Sequence, residues 1–239
     1  LVQAQPSQSR SRFLRWAYQD AVHLVQDAHG RTPLYLLGAS AVLVPVSLLD
    51  TRIDHEVGSV DGTFGEFLDF TNVLGGPDMN LPVVALFAVS LTTNDTRFQD
   101  AAFTSLQSMV YAGMISYGVK YTLGRFRPED HDGAYRFEPF SGRSSFPSGH
   151  TTTAFAVITP WVLYYPHPIT YGLFALSTGT ALTRIVREKH WATDVLAGGA
   201  LGFMTAYWLT RKHQGEGRHV RITPMLGAGN VSLSLQVRL

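Results

Sequence analysis

The chain contains no cysteine, which excludes a disulfide framework, a thiolate metal site and a cysteine nucleophile. It is also poor in charge. Of its 239 residues 15% are charged and 45% are apolar, a balance that points to several extensively buried helices or to contact with a membrane. Neither sign of charge dominates: 19 Lys and Arg stand against 18 Asp and Glu. There is thus no basic stripe of the kind nucleic acid would need, and no nucleic-acid partner is expected. Long apolar runs are missing as well. Pro33 to Leu49 is uncharged but shorter than the roughly 18 to 20 residues of a confident membrane span, so a buried helix and a span both remain open there. A mean hydropathy of +0.04 argues against six full spans. No charged region followed by an apolar one opens the chain, so any export signal is expected to have been removed or to lie outside this sequence.

What is present reads as a single helical domain with two appendages. Residues 1–11, polar and rich in Ser and Gln, bury too little to offset ordering and are expected to form a flexible tail. Residues 12–212 form the domain. Leu14, Ala17, Ala21, Leu24 and Ala28 recur at steps of three and four, the stripe of an amphipathic helix; its role is packing, since Asp20 and Asp27 dilute the positive charge a membrane-surface helix would carry. Asp50 to Gly62 is expected as a loop. Thr63 with Glu66 opens a short helix that stops at Gly75-Gly76-Pro77, Asn80 caps an apolar helix, and Thr96 with Gln99 opens a long one that runs to about Lys120. Thr151 to Thr183 is broken at Tyr165-Pro166-His167-Pro168, which predicts two antiparallel helices joined by a tight turn. A Gly- and Ala-rich helix follows from Trp191 to Thr210. The fold class is therefore all-α, a helical bundle of about six or seven helices, with a short C-terminal β-hairpin in residues 213–239. That hairpin is expected because Val231, Leu233, Leu235, Val237 and Leu239 alternate with polar residues. It is read as a packing or dimerisation element, which leaves a homodimer open; an outer-membrane barrel strand is the remote alternative.

Three short stretches carry chemistry. In the first, Lys120 and Arg127-Pro128 enclose Tyr-Thr-Leu-Gly-Arg-Phe; Lys supplies a compact charge and Arg a fork for phosphoryl oxygens. The pair lies close to two helical turns apart, or is brought together by a loop if Gly124 ends the helix. In the second, Pro147-Ser148-Gly149-His150 precedes an apolar helical run, so free N–H groups of the first turn would face an anion. In the third, Arg184 is followed by His190 and Asp194. The last two are four apart on a predicted helix, so the carboxylate can orient one imidazole nitrogen and make the other more basic. Taken singly, each stretch has a plain structural explanation as a turn, a salt bridge at a helix start or a solvated basic helix end. Together, in a chain with so few charges, they fit none of these well.

The three stretches resemble the motifs of the type 2 phosphatidic acid phosphatase family, which includes bacterial class A acid phosphatases and is related to the vanadium haloperoxidases. The resemblance covers about residues 100 to 210 and implies roles residue by residue. His190 would attack phosphorus to give a phosphohistidine, Asp194 would orient it, and His150 would protonate the leaving oxygen and then activate water. Lys120, Arg127, Ser148, Gly149 and Arg184 would hold the phosphoryl oxygens, which agrees with the dependence of phosphoryl transfer on positioning and electrostatics. No metal or cofactor is implied, and vanadate would bind as a phosphate mimic. Thr183 stands where the family often has Ser, a change of small consequence between two small hydroxyl residues.

The expected function is a metal-independent phosphatase acting on a phosphomonoester or pyrophosphate of a lipid or small organic molecule. Two alternatives remain: a vanadate-dependent haloperoxidase, and a non-catalytic phosphate- or phospholipid-binding envelope protein. Glu129, Asp130, His131 and Asp132 crowd together, but neighbours in sequence rarely converge on one ion. They are read as a solvated acidic loop that repels polyanions, with Tyr135, Phe137, Phe140 and Phe146 as an apolar wall for a lipid or aromatic leaving group. The expected location is the bacterial cell envelope, on the periplasmic side, soluble or membrane-associated, with integral insertion as the alternative.

Overall fold

The computed structural model describes residues 10–30, 32–57, 62–216, 220–227 and 230–237. Most of the expected flexible tail lies outside them. Helix α1 (Ser11–Gly30) and helix α2 (Thr32–Ser47) come first, followed by α3 (Asp50–Val57), α4 (Gly62–Thr71) and α5 (Asn80–Ser90). Then come α6 (Thr96–Leu123), α7 (Gly149–Tyr164), α8 (Pro168–Val186) and α9 (Ala192–Glu216). The all-α class holds, but nine α-helices among the described residues exceed the six or seven expected. One source of the difference is α3, where a loop was expected. Its polar sequence coils with Asp50 in the first turn and an Arg52–Glu56 pair at 2.7 Å one turn apart, both favourable to a short helix. Beyond α9, which passes the boundary expected at residue 212, the backbone of Val220–Gly227 pairs antiparallel with Asn230–Val237.

The helix starts also differ in detail. The cap of α6 is Asp95, whose carboxylate accepts from the Phe98 N–H at 3.0 Å, rather than the Thr96–Gln99 pair. Asn80 lies inside α5 and Met79 precedes it without a side-chain cap. The break between α7 and α8 is where the Pro-His-Pro stretch places it, with Pro168 opening α8.

The centre of the assembly is α6, α7 and α9, with α8 against α7. Helices α7 and α9 approach backbone to backbone. A Cβ on Gly198 would lie 2.4 Å from the Ser148 carbonyl oxygen, and one on Gly202 would lie 2.3 Å from that of Thr152, so only glycine permits this packing. Helix α1 is fastened to α6 and α9 through a buried polar cluster. Asp20 accepts from Gln107 at 2.9 Å, lies 2.9 Å from His213 Nε2 and pairs with Lys212 at 2.8 Å, while the Trp16 ring stacks on His213 at 3.9 Å. A buried carboxylate needs such partners to remain ionised.

No single described helix is long and apolar enough to cross a membrane; Gly62–Gly75 and Pro77–Ser90, bent by 51°, reach that length and composition only as a pair. Phe64, Phe67, Phe70, Leu81 and Val89 are exposed along this pair.

Candidate active site

Lys120 sits in the last turn of α6, which Gly124 ends. At φ 59° Gly124 adopts the left-handed conformation, and a Cβ there would meet the Glu138 carbonyl oxygen at 1.8 Å. Lys120 and Arg127 therefore do not share one helix face; the loop joins them. The Lys120 ammonium donates to the Ser144 carbonyl at 2.5 Å. Burial lowers its pKa to about 8, with Asp194 opposing and Arg127 and Arg184 adding to the fall. Arg127 is half-buried, and its guanidinium pairs with Glu129 at 3.2 Å.

Ser148 is the N-cap of α7, but its hydroxyl bonds no backbone N–H and lies 3.0 Å from the Thr151 hydroxyl. Its own N–H donates to the Asp194 carbonyl at 2.8 Å, tying the start of α7 to the start of α9. Gly149 faces the Lys120 stem, with its Cβ position 3.6 Å from Lys120 Cε. His150 follows, covered by the 3-10 turn Asn72–Gly75: a Cβ on Gly75 would lie 2.2 Å from the His150 carbonyl oxygen. Burial lowers the His150 pKa to about 4, and Arg184, His190, Lys120 and Arg127 all push the same way.

Arg184 lies in the last turn of α8. Its Nε is buried without a hydrogen-bond partner, an arrangement that suits a donor awaiting an anion. Its carbonyl accepts from the N–H groups of Lys189 and His190, each at 3.1 Å, so the turn that carries His190 is fastened to α8. His190 itself is not on a helix, contrary to expectation; it stands in the turn before α9, and only Asp194 is helical. The Asp194 carboxylate accepts from the Trp191 N–H at 3.0 Å, as a capping-box residue does, and from the Ser145 hydroxyl at 2.5 Å.

His190 Nδ1 is 3.6 Å from Asp194 Oδ2, close enough for charge attraction and too long for a hydrogen bond. Burial lowers the His190 pKa to about 4 against the pull of Asp194, and Lys120 and Arg184 lower it further. Near neutral pH the imidazole is therefore uncharged, with a free lone pair. Burial alone would raise the Asp194 pKa, but His190, Arg125 and Ser145 hold it low.

All eight residues singled out in the sequence thus converge where α6, α7, α8 and α9 meet. The motif reading missed Arg125, Ser145, Thr193 and Asp50. Arg125 is 3% exposed and Asp50 1%, yet the two pair at 2.7 Å, and Arg125 pairs with Asp194 at 2.6 Å. Arg125 had a signal, a charged residue inside the first motif; Asp50, far away in sequence, had none. The acidic stretch 129–132 does not converge: Glu129 pairs with Arg127 and Lys189, Asp130 with Arg143 and Asp132 with Arg136. Tyr135, Phe137 and Phe140 are exposed beside it.

Residues 101–218 match the PAP2 superfamily. The chain is similar to a lipid A 1-phosphatase of Porphyromonas gingivalis, 37% identical over 113 residues that make up 44% of this chain and 23% of that protein. It is also 37% identical over 100 residues to a lipid A 1-phosphatase of Rhizobium johnstonii, covering 40% of this chain and 41% of that one. The chain spans less than half the length of these curated relatives. Among solved structures, the fold is similar to a transmembrane PAP2 type phosphatidylglycerolphosphate phosphatase from Bacillus subtilis. The TM-score is 0.52 at 19% identity, over 85% of this chain and 93% of that one.

Proposed function

The chain belongs to the PAP2 superfamily, and on that premise we propose that it is a lipid phosphatase that works through a phosphohistidine without a metal ion. The observation that carries the reading is an uncharged, buried His190 set among Lys120, Arg184 and His150, beside a carboxylate that faces its Nδ1. With Nδ1 toward Asp194, Nε2 is the nitrogen left to attack. Its lone pair forms the N–P bond as the bond from phosphorus to the leaving oxygen breaks, and His150 gives that oxygen its proton. Water then attacks phosphorus, passing a proton to His150; the N–P bond breaks, and phosphate and neutral imidazole are released.

His150 needs its proton for the first half, although in the resting site its pKa is lowered to about 4. Burial is the main cause of that fall and the surrounding cations add to it; a bound phosphoryl dianion offsets the cations and raises its basicity again. Lys120, Arg127, Arg184, the Ser148 hydroxyl and the Gly149 N–H hold the equatorial oxygens, whose charge grows as the leaving group departs.

The substrate we propose is a phosphomonoester of a lipid, and lipid A, named for two relatives, is the first to assay. The exposed aromatic side chains of α4 fit an envelope protein that rests against a membrane. The test is hydrolysis of an aryl phosphate and of lipid A in EDTA, with and without vanadate, by the native protein and by His190→Ala. Turnover that survives EDTA, stops with vanadate and is abolished in the variant supports the proposal. Turnover lost in EDTA, or retained by His190→Ala, overturns it.

A further inference from the structure

Arg125 lies two residues before Arg127 in the first motif, yet it cannot serve a phosphate, because all its donors are already used. Its Nε and Nη2 donate to the Ala134 carbonyl at 3.0 and 2.7 Å, and Nη1 donates to the Thr193 hydroxyl at 2.7 Å and to Asp194 Oδ1 at 2.6 Å. The remaining N–H of Nη2 donates to Asp50 Oδ2 at 2.7 Å. A guanidinium has five N–H donors, so this accounts for them all. Asp50, from α3, is equally committed: besides Arg125 it accepts from the Thr193 N–H at 2.9 Å and from the Thr193 hydroxyl. It thereby caps the first turn of α9, the turn that carries Asp194.

We infer that Arg125 and Asp50 are positioning residues for His190, a buried Asp50–Arg125–Asp194 relay that fixes the carboxylate and sets how much negative charge it presents to the imidazole. This deepens the phosphatase reading and rests on it for the role of His190. It also assigns a part in the site to a residue outside the 101–218 stretch that matches the superfamily. A buried cation held between two carboxylates is shared by them. If Asp50 loses its charge, Arg125 neutralises Asp194 more fully and the imidazole becomes less basic. If Arg125 loses its charge, Asp194 acts on His190 unopposed and the imidazole becomes more basic. The other charges around His190, namely Lys120 of α6, His150 of α7 and Arg184 of α8, are the same in both variants.

The test compares the native protein with Asp50→Asn, Arg125→Gln and Arg125→Lys. His190 is titrated by imidazole nitrogen NMR, and kcat and KM are measured for an aryl phosphate across pH. Asp50→Asn is expected to move the His190 titration and the acidic limb of kcat/KM down by about one pH unit, and Arg125→Gln to move both up by about as much. In each, kcat falls while KM holds, since neither residue touches the substrate, and Arg125→Lys recovers part of the shift. Lost stability with the His190 titration unmoved, or both variants shifting the same way, overturns the inference. Should Arg125→Gln not fold, Asp50→Asn and Arg125→Lys still decide it. A native protein without turnover defeats the phosphatase reading, while the NMR titration continues to test the relay.

Discussion

At the scale of single residues, the site combines groups whose protonation states are set by their neighbours. Among the described residues Lys120 bonds backbone carbonyls and pairs with no carboxylate, and burial lowers its pKa to about 8; burial likewise holds His190 neutral down to about 4. On the proposed mechanism the protein is active where His190 has lost its proton and Lys120 has kept its own, while His150 takes up the proton it donates when the phosphoryl group binds. Measured as kcat/KM for an aryl phosphate, activity is expected to rise through pH 4 and fall through pH 8. Lys120→Arg keeps the charge at all pH values and should abolish the alkaline limb, at a loss of about tenfold in kcat/KM from the changed geometry. A limb that persists in Lys120→Arg would assign it to another group. Phe137, 5.6 Å from the Arg125 guanidinium, and Phe140, against the Tyr121 ring, are exposed, and on the proposed function they meet the lipid. Replacing both by Ala is expected to lower lipid turnover about tenfold relative to aryl phosphate turnover; an unchanged ratio removes them from substrate recognition.

Among elements, the decisive contact is that of α7 with α9, because each carries part of the site at its first turn. Ser148 N–H bonds the Asp194 carbonyl, and Gly198 and Gly202 let the two backbones approach. At Gly202, one turn farther along, the Cβ of Ala would force the helices apart. Gly202→Ala is expected to destabilise by about 2 kcal/mol, as overpacking does, read as a lowered urea midpoint. Gly198→Ala, whose Cβ would press on Ser148, should also lower kcat. Equal effects of the two on kcat would mean that the helix separation matters only to stability. The glycine content of this helix was legible in the sequence as a sign of close packing, but not which glycines meet α7, since that depends on the crossing of two helices remote in sequence.

For the molecule as a whole, burying two neutral histidines links folding to pH. His150 and His190 have pKa values of about 4 in the folded protein against an ordinary 6.5, so between these values the unfolded chain binds more protons than the folded one. Stability then rises with pH through this window and is lost as pH falls through it. The melting temperature is expected to drop between pH 6.5 and 4, and saturating phosphate, which offsets the surrounding cations, should flatten the drop. A melting temperature constant across this range would mean that the histidines are not held neutral. Helix α1, clamped by Asp20 and His213, adds a second buried histidine–carboxylate contact.

The sequence by itself determined the chemical groups and the α-helical class. Motif residues carry their chemistry in their type and order, and the apolar stripes, Pro and Gly breaks and caps are local signals that act within a few residues. Helix α6 runs on past Lys120 to Gly124, and α7 and α8 divide where prolines divide them. Only the tertiary structure decided that His190 stands in a turn fastened to α8, that Glu129 pairs with Arg127, and that Arg125 is spent on Asp50 and Asp194 rather than on phosphate. The physical reason is distance along the chain. Asp50 and Thr193 lie 143 residues apart, no periodic pattern links them, and the hydrogen bonds that join them gain their strength only where the folded core excludes water.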